Sequence, residues 1–387
     1  MSESLFGKPR PFAESGLVAK TETFTFAEAP DELALVCGDR LGPITVAYQT
    51  YGTLNQNGDN GVLVCHSLTG DMHAAGRMDG RNYVGWWDPL IGPGRAFDTD
   101  RYFVVCAGVL GGWGGSTCAA SINPKSGRPY GSTFPDITMR DVVTCHGYLL
   151  RHLGVRQLAA VSGPSMGGSQ SWEFAVAYPD MVRQCIPVAA APVASAMLIG
   201  WNYVARQAFR TDPNYQGGDY YGTGRAPLAG LSLARQIATV TYYSSPYLGG
   251  WFGNAGAEGH KDETLPSKFA VEEYLDNEGA KLVTRFDANS YLCALRSLET
   301  MDIGRPFGSR EAAFRAIKAR LMVVGVASDL LFPPAELRGA VAAAKYAGVD
   351  ARYEEIDSED GHDACLLEID RVGALIKDFL SGDAPRP

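Results

Sequence analysis

The sequence predicts an open, doubly wound α/β sheet that carries a mostly helical insertion. Short apolar and β-branched runs recur along the chain, helical segments lie between them, and the runs become scarce from about residue 193 to residue 300. Several runs are almost continuously apolar, which is typical of parallel strands that helices cover on both faces. We therefore predict a mostly parallel sheet.

The predicted strands follow one another in chain order. Seven segments carry the pattern: PITVAYQTYG (43–52), GVLVCHSLTG (61–70), RYFVVCAGVLGG (101–112), LAAVSG (158–163), CIPVAAA (185–191), RLMVVGVASD (320–329) and ARYEEIDSEDGH (351–362). Residues 138–154 read as a helix that ends at Gly154, and residues 167–180 as one that ends before Pro179.

The region between residues 193 and 300 has a different character. Polar, aromatic and glycine-rich stretches such as DPNYQGGDYYGTGRAPLAG (212–230) separate helical pieces there, and the strand pattern resumes only at residue 320. An insertion between two strands explains this better than an independent domain. We predict a core formed by residues 1–192 and 301–387, with a helical lid at 193–300.

Composition argues against several classes of partner. The chain has 34 basic and 43 acidic side chains, a net charge of −9, with no block of like charge, so neither nucleic acid nor a membrane is an expected partner. The first twenty residues lack the apolar run of a signal peptide, which favours a cytoplasmic location. The eight cysteines show no zinc-binding spacing, and we predict no metal site.

Ser165 is the candidate nucleophile. It lies in Gly163-Pro164-Ser165-Met166-Gly167, a G-x-S-x-G pattern, after an apolar strand and before a helix. A serine hydroxyl becomes nucleophilic when an adjacent base takes its proton and a third group orients that base. Without such partners, Ser165 is only a serine in a glycine-rich turn.

The base and the acid can be chosen by chain order. In open α/β sheets with this pattern the acid and then the histidine follow the serine, and only His260 and His362 do so. His260 falls in the polar lid, whereas His362 lies in a loop after the last predicted strand. Asp329 directly follows another strand, where catalytic groups collect in such sheets, although Asp350, Asp357, Asp360 and Asp363 compete by composition. We predict the triad Ser165, Asp329 and His362.

Acyl transfer also needs donors for an oxyanion. The backbone N–H of Met166, just after the nucleophile, is the first expected donor. The second should come from the turn HSLTG (66–70) after an earlier strand, and Leu68 is our choice through its backbone. His66 precedes the serine, so we expect a structural role for it.

Beyond these residues, the chain resembles the homoserine O-acetyltransferase family of the α/β-hydrolase fold. The matching stretches run in family order from about residue 40 to residue 368: CHSLTGD, GWWDPLIGPGRAFDTDRYFVVCAGVLGG, GSTCAASINPKSGRPYGSTFPDITMRDVV, GPSMGG, WNYVARQAFRTDP, GGDYY, RFDANSYL, SDLLFPP and DGHDACLLE.

The resemblance implies a two-step acyl exchange. Ser165 would take an acyl group from acyl-CoA, and the hydroxyl of homoserine would remove it, with CoA as a substrate and no bound cofactor. The resemblance also implies that Arg206 faces the carboxylate of the amino acid and that Asp363 takes its ammonium group. It further implies a homodimer through the lid helices.

Departures from the family pattern leave the substrates open. Pro164 and Ser169 flank the nucleophile where the family has glycine and an apolar residue, and Cys118-Ala119 replaces Gly-Pro. Serine or another alcohol as acceptor and succinyl-CoA as donor therefore stand as alternatives. A hydrolase with the same triad is a further alternative, and a purely binding role would leave the triad unexplained.

Overall fold

A sheet of eight strands forms the centre of the computed structural model, which describes residues 13–81, 83–261 and 264–382. The strands are β1 Glu22–Phe26, β2 Ile44–Tyr51, β3 Gly61–Cys65, β4 Phe103–Ala107, β5 Leu158–Pro164, β6 Gln184–Val188, β7 Arg320–Val326 and β8 Ala351–Ile356. The seven predicted runs contribute β2 to β8, and only β1 was not predicted.

Strand order defines a doubly wound sheet with one antiparallel edge. The order across the sheet is β1-β2-β4-β3-β5-β6-β7-β8. β1 and β2 pair antiparallel, as do β2 and β4, while every pair from β4 to β8 is parallel. The carboxyl ends of the parallel strands therefore meet at one edge, where ligands bind in such sheets.

Helices cover both faces of the sheet. In the described part of the chain they are α1 Met139–His152, α2 Met166–Ala177, α3 Ala196–Thr211, α4 Leu228–Tyr242, α5 Ser245–Trp251, α6 Ala270–Val283, α7 Ala288–Glu299, α8 Arg310–Ala316, α9 Pro334–Tyr346, α10 Ala364–Leu367 and α11 Ile369–Ser381. All five residues of β3 are fully buried between the two apolar layers. This burial explains why β3 is continuously apolar.

Of the described residues between β6 and β7, six segments form α-helices, α3 to α8, and the first five of these, α3 to α7, lie within the predicted lid. Among the described residues from 196 to 299, the only β pairing is a single bridge between Gly256 and Phe269. The lid boundaries 193 and 300 stay predictions, and the outer ends of the predicted core, residues 1–12 and 383–387, lie outside the described residues. In the described residues, none of the helices is long and apolar enough to cross a membrane.

Candidate active site

Ser165 lies on a sharp turn between β5 and α2. Its backbone has φ +56° and ψ −123°, a conformation that residues other than glycine rarely adopt. Gly163 and Gly167 make the turn possible, because a Cβ at either position would lie 2.3 Å or 2.1 Å from the carbonyl oxygen of Cys65. The two glycines therefore let β5 and α2 pack against the end of β3.

The predicted triad residues are brought together. The Ser165 hydroxyl donates to Nε2 of His362 over 2.7 Å, and Nδ1 of His362 donates to Oδ2 of Asp329 over 2.8 Å. Asp329 and His362 are each about 3% exposed. The serine therefore has a base within hydrogen-bond reach, and an aspartate orients that base, which is the arrangement that acyl transfer through serine requires.

Backbone and side-chain bonds hold the acid and base loops together. Oδ1 of Asp329 accepts hydrogen bonds from the N–H groups of Leu331 and Phe332, at 2.8 Å and 3.0 Å. Ser328 donates to the carbonyl of Ser358 in the histidine loop and accepts from the N–H of Gly361. Asp329 is thus fixed by its own turn, and its neighbour ties the two loops together.

The electrostatics suit His362 to its role. Burial disfavours the imidazolium and by itself lowers the pKa of His362, but the charge and the hydrogen bond of Asp329 outweigh burial and raise the pKa above its usual value. A base with a raised pKa takes the serine proton more readily.

Two free backbone donors lie beside the nucleophile. Within the described part of the chain, neither the N–H of Leu68 nor that of Met166 donates a hydrogen bond. Leu68 lines the same cavity as Ser165, and Met166 is the next residue in the chain. The oxyanion role of both amides stays a prediction that this geometry suits.

His66 holds the loop that contains Leu68. Its Nδ1 donates to the carbonyl of Ser67 over 2.8 Å, and its Nε2 accepts from the N–H of Val109 over 3.3 Å. Gln170 in α2 donates to the carbonyl of His66 over 3.0 Å. Burial lowers the pKa of His66 and favours its neutral form. These contacts give His66 the structural environment that chain order predicts.

A cavity opens from Ser165 into the lid. It is narrow in this structure, with a volume of about 40 Å³. Its walls are faces of α3, α4 and α7 together with Leu68, Leu331 and Phe332. Among the described residues that line the cavity, none has a charged side chain. The described residues also contain no cluster of three or more His, Cys, Asp or Glu side chains that could hold a metal ion.

Asp363 is a buried carboxylate directly after the catalytic histidine. Burial raises the pKa of Asp363 to about 6, although the charges of His362 and Arg235 and a hydrogen bond from Tyr243 oppose this rise. Its Oδ2 is buried and has no hydrogen-bond partner within the described residues. An unpaired carboxylate oxygen at this depth is costly, and a cationic group would satisfy it.

Arg206, which the resemblance assigns to the carboxylate of the substrate, pairs with a carboxylate of the protein. Its Nε lies 2.8 Å from Oε1 of Glu299, its side chain is 14% exposed, and it does not line the cavity beside Ser165. Glu299 is a buried carboxylate that also pairs with Arg296. Arg206 thus belongs to an ion pair between α3 and α7 in this structure, and its contact with the substrate carboxylate stays a prediction.

Arg235 in α4 was not among the residues predicted from the sequence, but its surroundings suit a residue that binds a carboxylate. It is 4% exposed, its Nη2 lies 3.0 Å from Oε2 of Glu278, and its guanidinium is 5.4 Å from the ring of Tyr242, which lines the cavity. Its charge acts on Asp363. In the sequence, the available signal was a single charged residue, this arginine, in an otherwise uncharged helix.

Comparisons with known proteins place the chain in a family. A model of the α/β-hydrolase fold family matches residues 60–368. A homoserine O-acetyltransferase of Moorella thermoacetica is 46% identical over 359 residues, which cover 92% of this chain and 96% of that protein. The chain belongs to the homoserine O-acetyltransferase family.

Solved structures include both transferases and hydrolases of this fold. The crystal structure of a homoserine O-acetyltransferase from Bacillus anthracis has a TM-score of 0.87 at 31% identity and covers 94% of this chain and 98% of that one. Esterase E22 has a TM-score of 0.85 at 27% identity, with coverage of 94% and 100%. The fold alone therefore does not separate transfer to an alcohol from transfer to water.

The departures from the family pattern at the elbow are accommodated locally. The N–H of Ser165 donates to the carbonyl of Val188 in β6. Because successive backbone N–H groups of a strand point to opposite sides, the nitrogen of residue 164 points away from β6. Proline at this position therefore removes no hydrogen bond to β6. Ser169 is buried in the first turns of α2. Neither change displaces the Ser165 hydroxyl from His362.

Proposed function

We propose that this member of the homoserine O-acetyltransferase family transfers an acetyl group from acetyl-CoA to the hydroxyl of homoserine through an acetyl-Ser165 intermediate. The identity to named homoserine O-acetyltransferases over most of both chains supports this assignment. The contacts among Ser165, His362 and Asp329 support the mechanism.

In the first half-reaction Ser165 is the nucleophile. His362 takes the hydroxyl proton as Oγ attacks the thioester carbonyl, and the amides of Leu68 and Met166 stabilise the oxyanion, each donor contributing about 3 kcal/mol. Collapse of the tetrahedral intermediate breaks the C–S bond, His362 returns the proton to the CoA thiolate, and the acetyl ester of Ser165 remains.

In the second half-reaction homoserine takes the place of CoA. His362 removes the proton from the substrate hydroxyl, which attacks the ester carbonyl, and the proton then passes to Oγ of Ser165. The Asp363 carboxylate would bind the ammonium group, and the Arg235 guanidinium would bind the carboxylate through paired hydrogen bonds. These contacts would direct the hydroxyl toward His362.

One observation carries the choice of an amino-acid acceptor. Asp363 is buried beside His362 with an unpartnered carboxylate oxygen, and the buried Arg235 lies close enough to act on it. A zwitterion supplies the opposite charges for this pair. An ester hydrolase needs no such pair, because water is its acceptor.

The uncharged cavity supports acetyl rather than succinyl as the acyl group. A succinyl group has a carboxylate at its free end, which would need a cationic partner in a water-poor site. Of the described residues that line the cavity, none is lysine or arginine.

An assay of CoA release tests the proposal. The protein is incubated with acetyl-CoA or succinyl-CoA and with homoserine, serine or no amino acid, and free thiol is followed. We expect release that depends on both acetyl-CoA and homoserine. Release that no amino acid accelerates, together with rapid cleavage of simple esters, would contradict a transferase.

Hydrolysis is the second candidate, because esterase E22 has nearly the same fold. The same acetyl-Ser165 would be cleaved if water reached it. The assay without an amino acid measures this reaction directly.

We also propose a homodimer through α3 and α4. These two helices pack against each other and expose several large apolar side chains, which are Met197, Tyr203, Val204, Leu233 and Val240. Apolar side chains grouped on one surface mark protein interfaces. The cytoplasmic location stays a prediction from the sequence.

A further inference from the structure

One polar side chain stands out in the apolar wall of the cavity beside Ser165. Asn202 lies on the face of α3 that Leu198, Trp201 and Ala205 also form, at the spacing that places four side chains on one side of a helix. It is 8% exposed, and its buried Nδ2 has no hydrogen-bond partner within the described residues.

A buried amide without a partner is unfavourable and calls for an explanation. Its hydrogen bonds to water are lost on burial and are not replaced. Replacement by an apolar residue would remove this cost, and the neighbouring wall is already apolar. The amide is therefore suited to a ligand that brings a hydrogen-bonding group into the cavity.

The character of the cavity limits what that ligand can be. The described lining residues have no charged side chain, so a zwitterionic amino acid would lose its hydration there without compensation. The opposite charges that suit a zwitterion belong to Asp363 and Arg235. The hydroxyl of Tyr291 interacts with Tyr242 and with the charge of Arg235, so we group it with Asp363 and Arg235.

We propose that Asn202 binds an amide of the pantetheine arm of acyl-CoA and thereby positions the acyl donor between α3, α4 and α7. This inference rests on the proposed function and adds a residue that recognises the donor. The arm is uncharged and narrow, and each of its amides offers both a carbonyl acceptor and an N–H donor. Such a ligand suits an apolar passage with one amide in its wall.

The position of Trp201 supports a passage that leads from the protein surface through the cavity to Ser165. Its side chain lines the cavity and is also 38% exposed, so it lies where the cavity approaches solvent. Asn202 follows it in α3, and Ser165 lines the same cavity. A thioester entering at this edge would lead its arm past Asn202.

The test compares acyl donors that do and do not carry the arm. Asn202→Ala is assayed with acetyl-CoA, with S-acetylpantetheine, which keeps both amides but lacks the nucleotide, and with p-nitrophenyl acetate, which acetylates serine without an arm. We expect kcat/KM to fall on the order of tenfold for the first two donors. The kcat/KM for p-nitrophenyl acetate and the kcat/KM for homoserine should each stay within about twofold of the wild-type value.

Gln207→Ala is the matched control. Gln207 is on the same helix, and its buried amide nitrogen also has no hydrogen-bond partner in the described part of the chain, but Gln207 does not line the cavity. We expect this variant to use all three donors like wild type. Thermal unfolding of both variants shows whether either loses its fold.

Three results would overturn the inference. They are an equal loss with p-nitrophenyl acetate, a loss confined to homoserine, and no loss with acetyl-CoA in a folded Asn202→Ala protein. If wild type itself releases no CoA from acetyl-CoA, the proposed function fails instead, so the two failures are distinguishable.

Discussion

At the scale of single residues, Asp363 links the acceptor to pH. Its carboxylate must be ionised to bind an ammonium group, and burial raises its pKa to about 6. The acetylation of Ser165 needs only a neutral His362. The two half-reactions should therefore respond differently to acid.

We expect kcat/KM for homoserine to fall more steeply below pH 6 than the rate of Ser165 acetylation by p-nitrophenyl acetate. The sign follows from the raised pKa, because Asp363 gains a proton and loses its charge as pH falls through about 6. Stopped-flow acylation and steady-state assays would measure both profiles. The measurements would cover pH 5 to pH 8, roughly the range in which groups with a pKa near neutrality titrate. Parallel profiles would count against ammonium binding by Asp363.

Arg206 and Arg235 are the two candidates for binding the carboxylate of homoserine. Arg206 is paired with Glu299, whereas Arg235 is paired with Glu278 and also acts on Asp363. We expect Arg235→Lys to raise the KM for homoserine on the order of tenfold or more, because lysine keeps the charge but loses the paired hydrogen bonds. Arg206→Lys, the control, should change this KM less than about twofold. The opposite ranking in steady-state kinetics would contradict the role proposed for Arg235 and support the role that the resemblance implies for Arg206.

At the scale of elements, the turn between β5 and α2 depends on close backbone contact. A Cβ at Gly167 would lie 2.1 Å from the carbonyl oxygen of Cys65, so α2 must move to accept Gly167→Ala. We expect this change to lower the free energy of unfolding by about 1–3 kcal/mol and to reduce serine acetylation. Chemical denaturation and p-nitrophenyl acetate turnover would measure the two effects.

Gly339→Ala in α9 is the control for that change. Its Cβ meets nothing within 4 Å, and the residue is exposed. Alanine in a helix should raise the free energy of unfolding by about 0.5–1 kcal/mol and leave activity unchanged. Equal effects of the two substitutions would mean that the turn does not need the close approach.

The elements that the sequence predicts are those with a local signal. β3 and β7 are continuously apolar because both faces are covered, and this pattern is visible without a structure. β1 alternates at a half-exposed sheet edge, so its short ETFTF run gives a weaker signal. The turn at Ser165 was predictable because its glycines and the flanking strand and helix adjoin in sequence.

The acceptor site could not be predicted in the same way. Arg206 and Arg235 both lie on helices of the predicted lid, and only the structure shows that Arg206 meets Glu299 while Arg235 meets Glu278 and acts on Asp363. Helix periodicity does not decide which neighbour a side chain meets. Asn202 was likewise visible only once α3, α4 and α7 enclosed a cavity.

At the scale of the whole molecule, the lid should join two copies of the chain. We expect sedimentation velocity to show a dimer, and we expect Val204→Glu in α3 to give a monomer, because it buries an unpaired charge in the apolar interface. Tyr346→Glu is the control, since Tyr346 is a largely exposed apolar side chain on α9, away from the lid. A wild-type monomer, or a dimer that Val204→Glu leaves intact, would contradict this interface.

The lid also contacts the loop that contains His362. A Cβ at Gly361 would lie 2.5 Å from the carbonyl oxygen of Tyr242, and Ser244 donates a hydrogen bond to the carbonyl of Glu359. The core supplies the triad, and the lid supplies the cavity and Arg235. We therefore expect the proposed acyl transfer to depend on both parts of the molecule.

Mass spectrometry of the acyl-enzyme tests the central claim most directly. After brief mixing with acetyl-CoA alone, the protein should gain the mass of one acetyl group on the peptide that contains Ser165. Homoserine should then remove this group as O-acetylhomoserine faster than water does, and Ser165→Ala should gain no mass. Acetylation that persists in Ser165→Ala, or an acetyl group that homoserine removes no faster than water, would contradict the account.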